Sequence, residues 1–469
     1  MFPFSFNGLA SLFNPVLKAQ KEPSIAAKDL AATKGELIFA FRSPQTKQDL
    51  PARRERVHSP DSNCSLAYAG QSHHDNMFID NVASRNPATL VVGAIAAQVI
   101  GGLFAQMSPL VVAGLMDGLA LSERAAGIVT SVELLALAIT AILIAPVLPR
   151  LSYRRVCIGA VTLTLLAQGA SIVAGGWATL IMLRTFAGLG EGALYALSLS
   201  IVASHANNPE KVFGYFQLVW ALGSVPLFSA GGEITAAFAH QGIFALLGGV
   251  TLALAPLLLL LPNTAAPAVE SAMTDRQASS SSFGMMLFIA IFLYMAAAAA
   301  QYAFSTSMGE RAGLDTAAVG YTLTIATLVG FGGAAAATAL NIRWGRVFPI
   351  SLFCFTYAVT AAVLCLWKNS TVFVVALVLA AALYYFSLPY LFGLAAAIDR
   401  SGRWAAAAGS AYLLGFAAGP FLGGAVIASS GYMFLAAAIV ALMAASWALL
   451  MVIANRGVDR RIADDQLVS

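Results

Sequence analysis

Leu121-Ser122-Glu123-Arg124-Ala125-Ala126-Gly127 and Leu314-Asp315-Thr316-Ala317-Ala318-Val319-Gly320 are the two stretches on which the fold turns. An apolar helix follows each, and then a basic loop. The loops read Pro149-Arg150-Leu151-Ser152-Tyr153-Arg154 and Ile342-Arg343-Trp344-Gly345-Arg346. Gly127 to Gly320 is a shift of 193 residues, and Arg150 to Arg343 is the same shift. Two landmarks at one offset, set among long apolar stretches, indicate a helical bundle duplicated in parallel about an axis along a membrane normal.

Composition points to the bilayer as well. Of 469 residues, 59% are hydrophobic and 10% charged, where soluble domains carry about 25% charged residues. From Leu90 onward the apolar runs are long enough to cross a hydrocarbon layer of about 30 Å as helices. Twelve spans are expected, at 89–115, 123–148, 154–174, 177–203, 211–238, 241–261, 284–307, 316–340, 347–367, 371–398, 404–428 and 431–454. The fold class is therefore an all-α membrane protein of two pseudo-symmetric six-helix bundles. The expected division is a disordered cytoplasmic tail over 1–85, a first bundle over 86–261, a cytoplasmic linker over 262–283, a second bundle over 284–455 and a cytoplasmic tail over 456–469. The linker reading rests on its Ala/Ser-rich composition, from Pro262-Asn263-Thr264 to Ser279-Ser280-Ser281-Ser282, midway between the repeats.

Basic residues set the expected orientation. With both termini in the cytoplasm, the inner loops and C-terminal tail hold Arg150, Arg154, Arg155, Lys211, Arg276, Arg343, Arg346, Arg400, Arg403, Arg456, Arg460 and Arg461. The outer loops hold Arg124, Arg311 and Lys368. This is a positive-inside pattern. The net charge of +4 reflects topology and contact with anionic membrane lipids, and implies no nucleic acid.

Several chemistries lack their signatures. Cys64, Cys157, Cys354 and Cys365 form neither a CxxC pair nor a disulfide framework, and read as small apolar residues. His73-His74-Asp75 is a short polar tract in the tail, where solvation accounts for it without a metal. No phosphate-binding glycine loop is present, and no nucleophile, acid pair or metal cluster marks an enzyme. No cofactor is implied. Met77 stands just before the first span and is a second possible start of translation.

Three motifs carry a family resemblance. The loop after the second span, Ala145-Pro146-Val147-Leu148-Pro149-Arg150-Leu151-Ser152-Tyr153-Arg154, is similar to G-x-L-a-D-R-x-G-R, with Pro149 at the acidic position and Ser152 at the second glycine. Ile342-Arg343-Trp344-Gly345-Arg346 keeps the R-x-G-R ending. Arg184-Thr185-Phe186-Ala187-Gly188-Leu189-Gly190 matches R-x-x-x-G-x-G on the fourth span. Gly415-Phe416-Ala417-Ala418-Gly419-Pro420-Phe421-Leu422-Gly423-Gly424 matches G-x-x-x-G-P-x-x-G-G on the eleventh. Over about 85–455 the chain resembles a major facilitator superfamily transporter. The resemblance implies a secondary transporter that works by alternating access and moves a small-molecule substrate across a bacterial inner membrane, as a monomer. In the family the loop arginines make gating contacts, which would fall here to Arg150, Arg154, Arg343 and Arg346, beside Gly345. Loss of the acid in both halves leaves anchoring as an equal reading of these arginines. In drug/proton antiporters the third motif sits on the fifth helix. Its place on the eleventh tilts the expectation toward export, while packing explains it as well. Gly415, Gly419 and Gly423 form one ridge and Pro420 permits a bend, so this helix is expected to rock against a neighbour.

In the family, helices 1, 4, 7 and 10 line the central cavity. Their polar and aromatic members here nominate Gln98, Gln106, Arg184, Gln301, Tyr302 and Tyr384 as substrate-binding. Such a lining suits a small organic solute with an anionic or aromatic part. Glu133, Arg184 and Glu191 are the ionisable residues well inside the expected spans. A pair between Arg184 and one carboxylate is geometrically plausible, and Glu133 or Glu191 would carry a coupling proton. A static ion pair, an uncoupled facilitator and a transport-dead sensor with the same fold are the rival readings.

Overall fold

The computed structural model describes residues 87–205, 209–261, 281–340, 343–398 and 403–468. Four helices open the chain: α1 (Pro87–Leu119), α2 (Glu123–Ile144), α3 (Tyr153–Ile172) and α4 (Trp177–His205). A helical run over Pro209–Leu258 follows. Its 50 residues would extend about 75 Å if straight, far beyond one bilayer. It breaks at Ala239, where φ is 48° and ψ is −131°, and the chain folds back so that Leu246 approaches Gly231. The two arms are α5 and α6, split where the sequence places the fifth and sixth spans. The bend is seated on α1, because Gly114 and Gly118 leave room for Ala239 and His240.

The second half repeats the plan. It holds α7 (Ser281–Ala303), a short helix (Ser305–Arg311), α8 (Thr316–Leu340), α9 (Val347–Leu366), α10 (Ser370–Ile398), α11 (Arg403–Ser430) and α12 (Tyr432–Val468). With the Pro209–Leu258 run counted as two, twelve spans stand among the described residues where twelve are expected. Helix α7 begins at Ser281; residues 262–280 and the tail over 1–85, including Met77, His73 and Cys64, lie outside the described residues. Helix α12 continues beyond its apolar part, which ends at Asn455.

The opening stretches explain their own structure. Ser122 caps α2, its Oγ accepting from the Ala125 N–H at 3.3 Å. Asp315, 193 positions later, caps α8 by accepting from the Ala318 N–H at 2.7 Å. Each cap satisfies an otherwise orphaned donor and fixes where the helix begins. Several hydroxyls along the spans are satisfied locally. Thr130, Thr322, Thr324 and Thr327 each donate to the carbonyl one turn back, as helices in lipid require. Large apolar side chains such as Leu143, Leu166, Val173 and Val359 face outward, a pattern suited to lipid rather than water.

Within the first bundle α4 packs on α2 and α3. Within the second, α7 packs on α11 and α12, and α10 on α8 and α9. The bundles meet along α2 with α11, and along α5 with α8.

These two seams are related by the repeat. A Cβ on Gly127 would lie 2.3 Å from the Pro420 carbonyl oxygen, and one on Gly424 2.3 Å from that of Glu123. A Cβ on Gly320 would lie 2.6 Å from the Phe228 carbonyl oxygen, and one on Gly232 3.0 Å from Gly320 Cα. Beside the first contact, the Phe421 N–H donates to Ser131 Oγ at 2.7 Å. Beside the second, Ser229 and Thr324 hydroxyls meet at 3.2 Å. Ser131 to Thr324 is again a shift of 193. The cross-bundle bonds cluster toward the end where α1 finishes and α2 begins. There Thr306 donates to the Pro109 carbonyl at 3.0 Å, and Tyr321 donates to Glu233 at 2.8 Å. At the opposite end the first bundle keeps a core of its own, built from Ala94, Ile100, Tyr153, Cys157 and Leu197, with Leu413 of α11 at its margin. Among the described residues these cross-bundle bonds therefore latch the molecule at one end.

Candidate functional site

A wall of half-buried aromatic side chains lines the middle of the seam. Tyr302 on α7 donates to the Gln106 carbonyl of α1 at 2.5 Å, crossing between bundles. The Gln106 amide faces Tyr385 on α10. Tyr384 and Tyr412 share a hydroxyl hydrogen bond of 2.6 Å between α10 and α11. Tyr412 stacks on Phe416 at 6.4 Å, with 14° between the ring planes. On the opposing bundle, Gln98 accepts from Ser198 and faces Tyr195. Tyr195 of α4 stands near Tyr412. Trp220 of α5 lies over Gly102 of α1, where a Cβ would meet its ring at 2.8 Å. Each of these groups presents a ring face, an amide or a hydroxyl, and none carries a formal charge.

The charges lie elsewhere. Arg184 is 0% exposed inside the first bundle. Its guanidinium donates to Glu133 of α2 at 3.1 and 3.3 Å, and to Gln168 Oε1, the Ala167 carbonyl and Ser171 Oγ of α3 at 2.9, 3.0 and 2.6 Å. Phe244 of α6 covers it, its ring centroid 4.4 Å away. Gln168 joins the second carboxylate, its Nε2 donating to Glu191 Oε1 at 3.3 Å. Glu191 Oε2 has no hydrogen-bond partner. Arg184–Glu133 is the only salt bridge among the described residues. Two glycines bring these helices together: a Cβ on Gly188 would lie 2.2 Å from the Glu133 carbonyl oxygen, and one on Gly192 2.4 Å from that of Leu137. The glycine run after Arg184 thus permits the close α2–α4 packing that lets Glu133 reach Arg184.

The sequence expectations divide on this geometry. Gln98, Gln106, Tyr302 and Tyr384 come together at the seam. Arg184 does not: it is fully buried among α2, α3 and α6, with Phe104 of α1 6.0 Å from its guanidinium. Gln301 is a second correction. Its Oε1 accepts from Tyr357 of α9 at 2.9 Å, inside the second bundle, and the residue is buried. Gln301 and Tyr302 are successive residues on one helix, about 100° apart around its axis, so only one of them can face the seam. The glycine ridge of α11 is a third. A Cβ on Gly415 would lie 2.5 Å from the Phe292 carbonyl oxygen, one on Gly419 2.4 Å from Ala299 Cβ, and one on Gly423 3.0 Å from the Phe304 ring, all on α7 or the residue that ends it. The ridge packs against α7 of its own bundle. The contact between bundles uses Pro420 and Gly424 instead.

Arg150, Arg154, Arg343 and Arg346 lie in or beside the short basic loops and make no ion pair among the described residues. Gly345 has φ of +69°, a left-handed turn position that suits glycine. Tyr195, Trp220 and Tyr412 also meet at the seam, and the sequence reading omits them. Tyr412 stands one turn before the Gly415 motif, and Tyr195 one turn after Glu191; only folding shows that these turns meet.

Comparison with known proteins follows the same lines. The family model described as Major Facilitator Superfamily matches residues 92–398. No curated protein sequence matches the chain. Among solved structures, a bacterial homolog of the human lysosomal transporter Spinster, inward-facing and unoccupied, aligns with a TM-score of 0.60 at 14% identity, over 79% of this chain and 96% of that one. The nucleoside transporter NupG aligns at 0.61 and 12%, over 77% and 98%. A D-xylose-proton symporter aligns at 0.60 and 15%, over 76% and 97%. At such identities these likenesses speak for the fold. With a duplicated twelve-helix body and a family match over well more than half its length, the chain belongs to the major facilitator superfamily.

Proposed function

We propose that this protein is a proton-coupled secondary transporter that carries a small organic solute through the aromatic seam by alternating access. The observation that supports coupling is the buried cluster of Arg184, Glu133 and Glu191. Two carboxyls and one guanidinium, all sealed from water, are neutral together only when one carboxyl holds a proton. An uncompensated charge there would cost several kcal/mol. With Glu133 on Arg184, the proton resides on Glu191, which Gln168 links to the guanidinium. Exchange of partners by Arg184 would release one proton and take up another.

The route from seam to cluster is short. Ser131 bonds across the seam to Phe421, and Glu133 is two residues further along α2. Parting the bundles at that contact frees the segment of α2 that carries Glu133. With the basic loops in the cytoplasm, the latched end faces outward and the seam opens inward. Export rests on the α11 glycine pattern, and the packing role of those glycines serves either direction. A static ion pair is the competing reading, favoured by the close α2–α4 contacts at Gly188 and Gly192.

The test uses Glu133→Gln and Glu191→Gln in proteoliposomes, with metabolites and drugs screened by counterflow and by accumulation on a pH gradient. Loss of gradient-driven accumulation with counterflow retained identifies the proton carrier. If both variants still concentrate substrate on a pH gradient, neither carboxyl carries the proton.

A further inference from the structure

We infer that the seam takes a flat, uncharged, hydrogen-bonding solute of the heteroaromatic class. This rests on the transport reading for its purpose, but its argument is about binding alone.

The residues that meet at the seam are Tyr195, Tyr302, Tyr384, Tyr385 and Tyr412, with Gln98 and Gln106 among them. Several hydroxyls are already committed. Tyr302 donates to a backbone carbonyl, and Tyr384 and Tyr412 bond each other. What these side chains offer a guest is largely ring face, and the parallel Tyr412–Phe416 stack shows the geometry that a flat ring would extend. Gln98 is held by Ser198 and Tyr195 and Gln106 by Tyr385, so these amides are fixed at the rim of the rings, where the hydrogen-bonding capacity left to each can meet the edge of a flat guest.

Charge decides against the other solute classes. An anion would need a cation near the seam. Arg184, the guanidinium at this depth, is fully buried and already donates to Glu133, Gln168, Ala167 and Ser171. A cation would need a carboxylate. Glu133 and Glu191 are enclosed in the same bundle core. Tyrosine faces attract cations, but with no carboxylate among them the charge would stay uncompensated on desolvation. A neutral ring incurs no such cost.

The experiment is equilibrium binding to the purified full-length protein in nanodiscs, with three probes on one skeleton: 2-quinolinone (neutral), quinaldate (anion) and N-methylquinolinium (cation). Empty nanodiscs correct for partition into lipid. Saturable binding of 2-quinolinone at least tenfold tighter than either ion is expected. Tyr412→Leu should weaken it about tenfold, while Tyr412→Phe, which keeps the ring, should hold it within about twofold. Since the leucine variant could lose its fold, the phenylalanine variant and the three-probe ranking each stand alone as tests. Equal or tighter binding of either ion, or no saturable binding of 2-quinolinone by folded protein, overturns the inference. Saturable binding without counterflow would leave it standing and count against transport instead.

Discussion

Gly127→Val tests whether the glycine latch governs which end of the molecule is open. A Cβ at this position would lie 2.3 Å from the Pro420 carbonyl oxygen. An ordinary carbon–oxygen contact is about 3.3 Å, so α2 and α11 must separate by about 1 Å. The same movement stretches the 2.7 Å bond from the Phe421 N–H to Ser131. Overpacking of this kind costs about 1–3 kcal/mol. If the bundles rock as proposed, the cost falls on the latched arrangement and not on the one in which this end has opened. The balance between them should then shift about 5- to 150-fold toward opening. Spin labels at the exposed positions Arg124 on α2 and Ser429 on α11 report the separation by pulsed dipolar spectroscopy. A longer and broader distance distribution is expected in Gly127→Val. Gly169→Val is the control, since a Cβ there meets nothing within 4 Å. An unchanged distribution in folded Gly127→Val would refute the latch.

Other outcomes follow from the same geometry. Arg184→Leu should destabilise the protein by about 3–5 kcal/mol, because it strands a buried carboxylate; the double variant with Glu133→Leu should recover most of the loss in detergent melting, and failure to recover would show that packing dominates. Gly419→Leu should impair folding and insertion rather than transport alone, because even its Cβ would lie 2.4 Å from Ala299 Cβ; a stably inserted but inactive variant would return the ridge to a moving role. Burial holds the Glu310 carboxyl above the ordinary carboxylate range, with Asp117 adding to the rise and the Thr316 hydroxyl opposing it. The latched end therefore favours protonated Glu310, so latching should weaken as pH rises from about 4 through the raised value, and Glu310→Gln should flatten that dependence in the spin-label distances. A chain starting at Met77 should insert and transport normally if residues 1–76 lack the apolar content to dock on the body; loss of accumulation would assign the tail a role.

The sequence by itself determined the body plan. Apolar length fixed the spans, because a helix is the way a chain satisfies its backbone in lipid. The 193-residue shift fixed the duplication, and its caps and glycines carry over directly, from Ser122 to Asp315 and from Gly127 to Gly320. It also marked Arg184 as the partner of Glu133 or Glu191, since buried charges must be paired, and the fold chose Glu133. What it left open was which way each helix turns. Gln301 and Tyr302 are equally polar in sequence, and only packing decides which meets the seam and which meets Tyr357. Arg184 stands on a cavity-lining helix by number, yet it points into the bundle because α3 supplies Gln168, the Ala167 carbonyl and Ser171 as partners. The glycines of α11 divide between packing on α7 at Gly419 and the seam at Gly424. Helix rotation is set by contacts between segments far apart in the chain, and those contacts exist only after the helices have assembled.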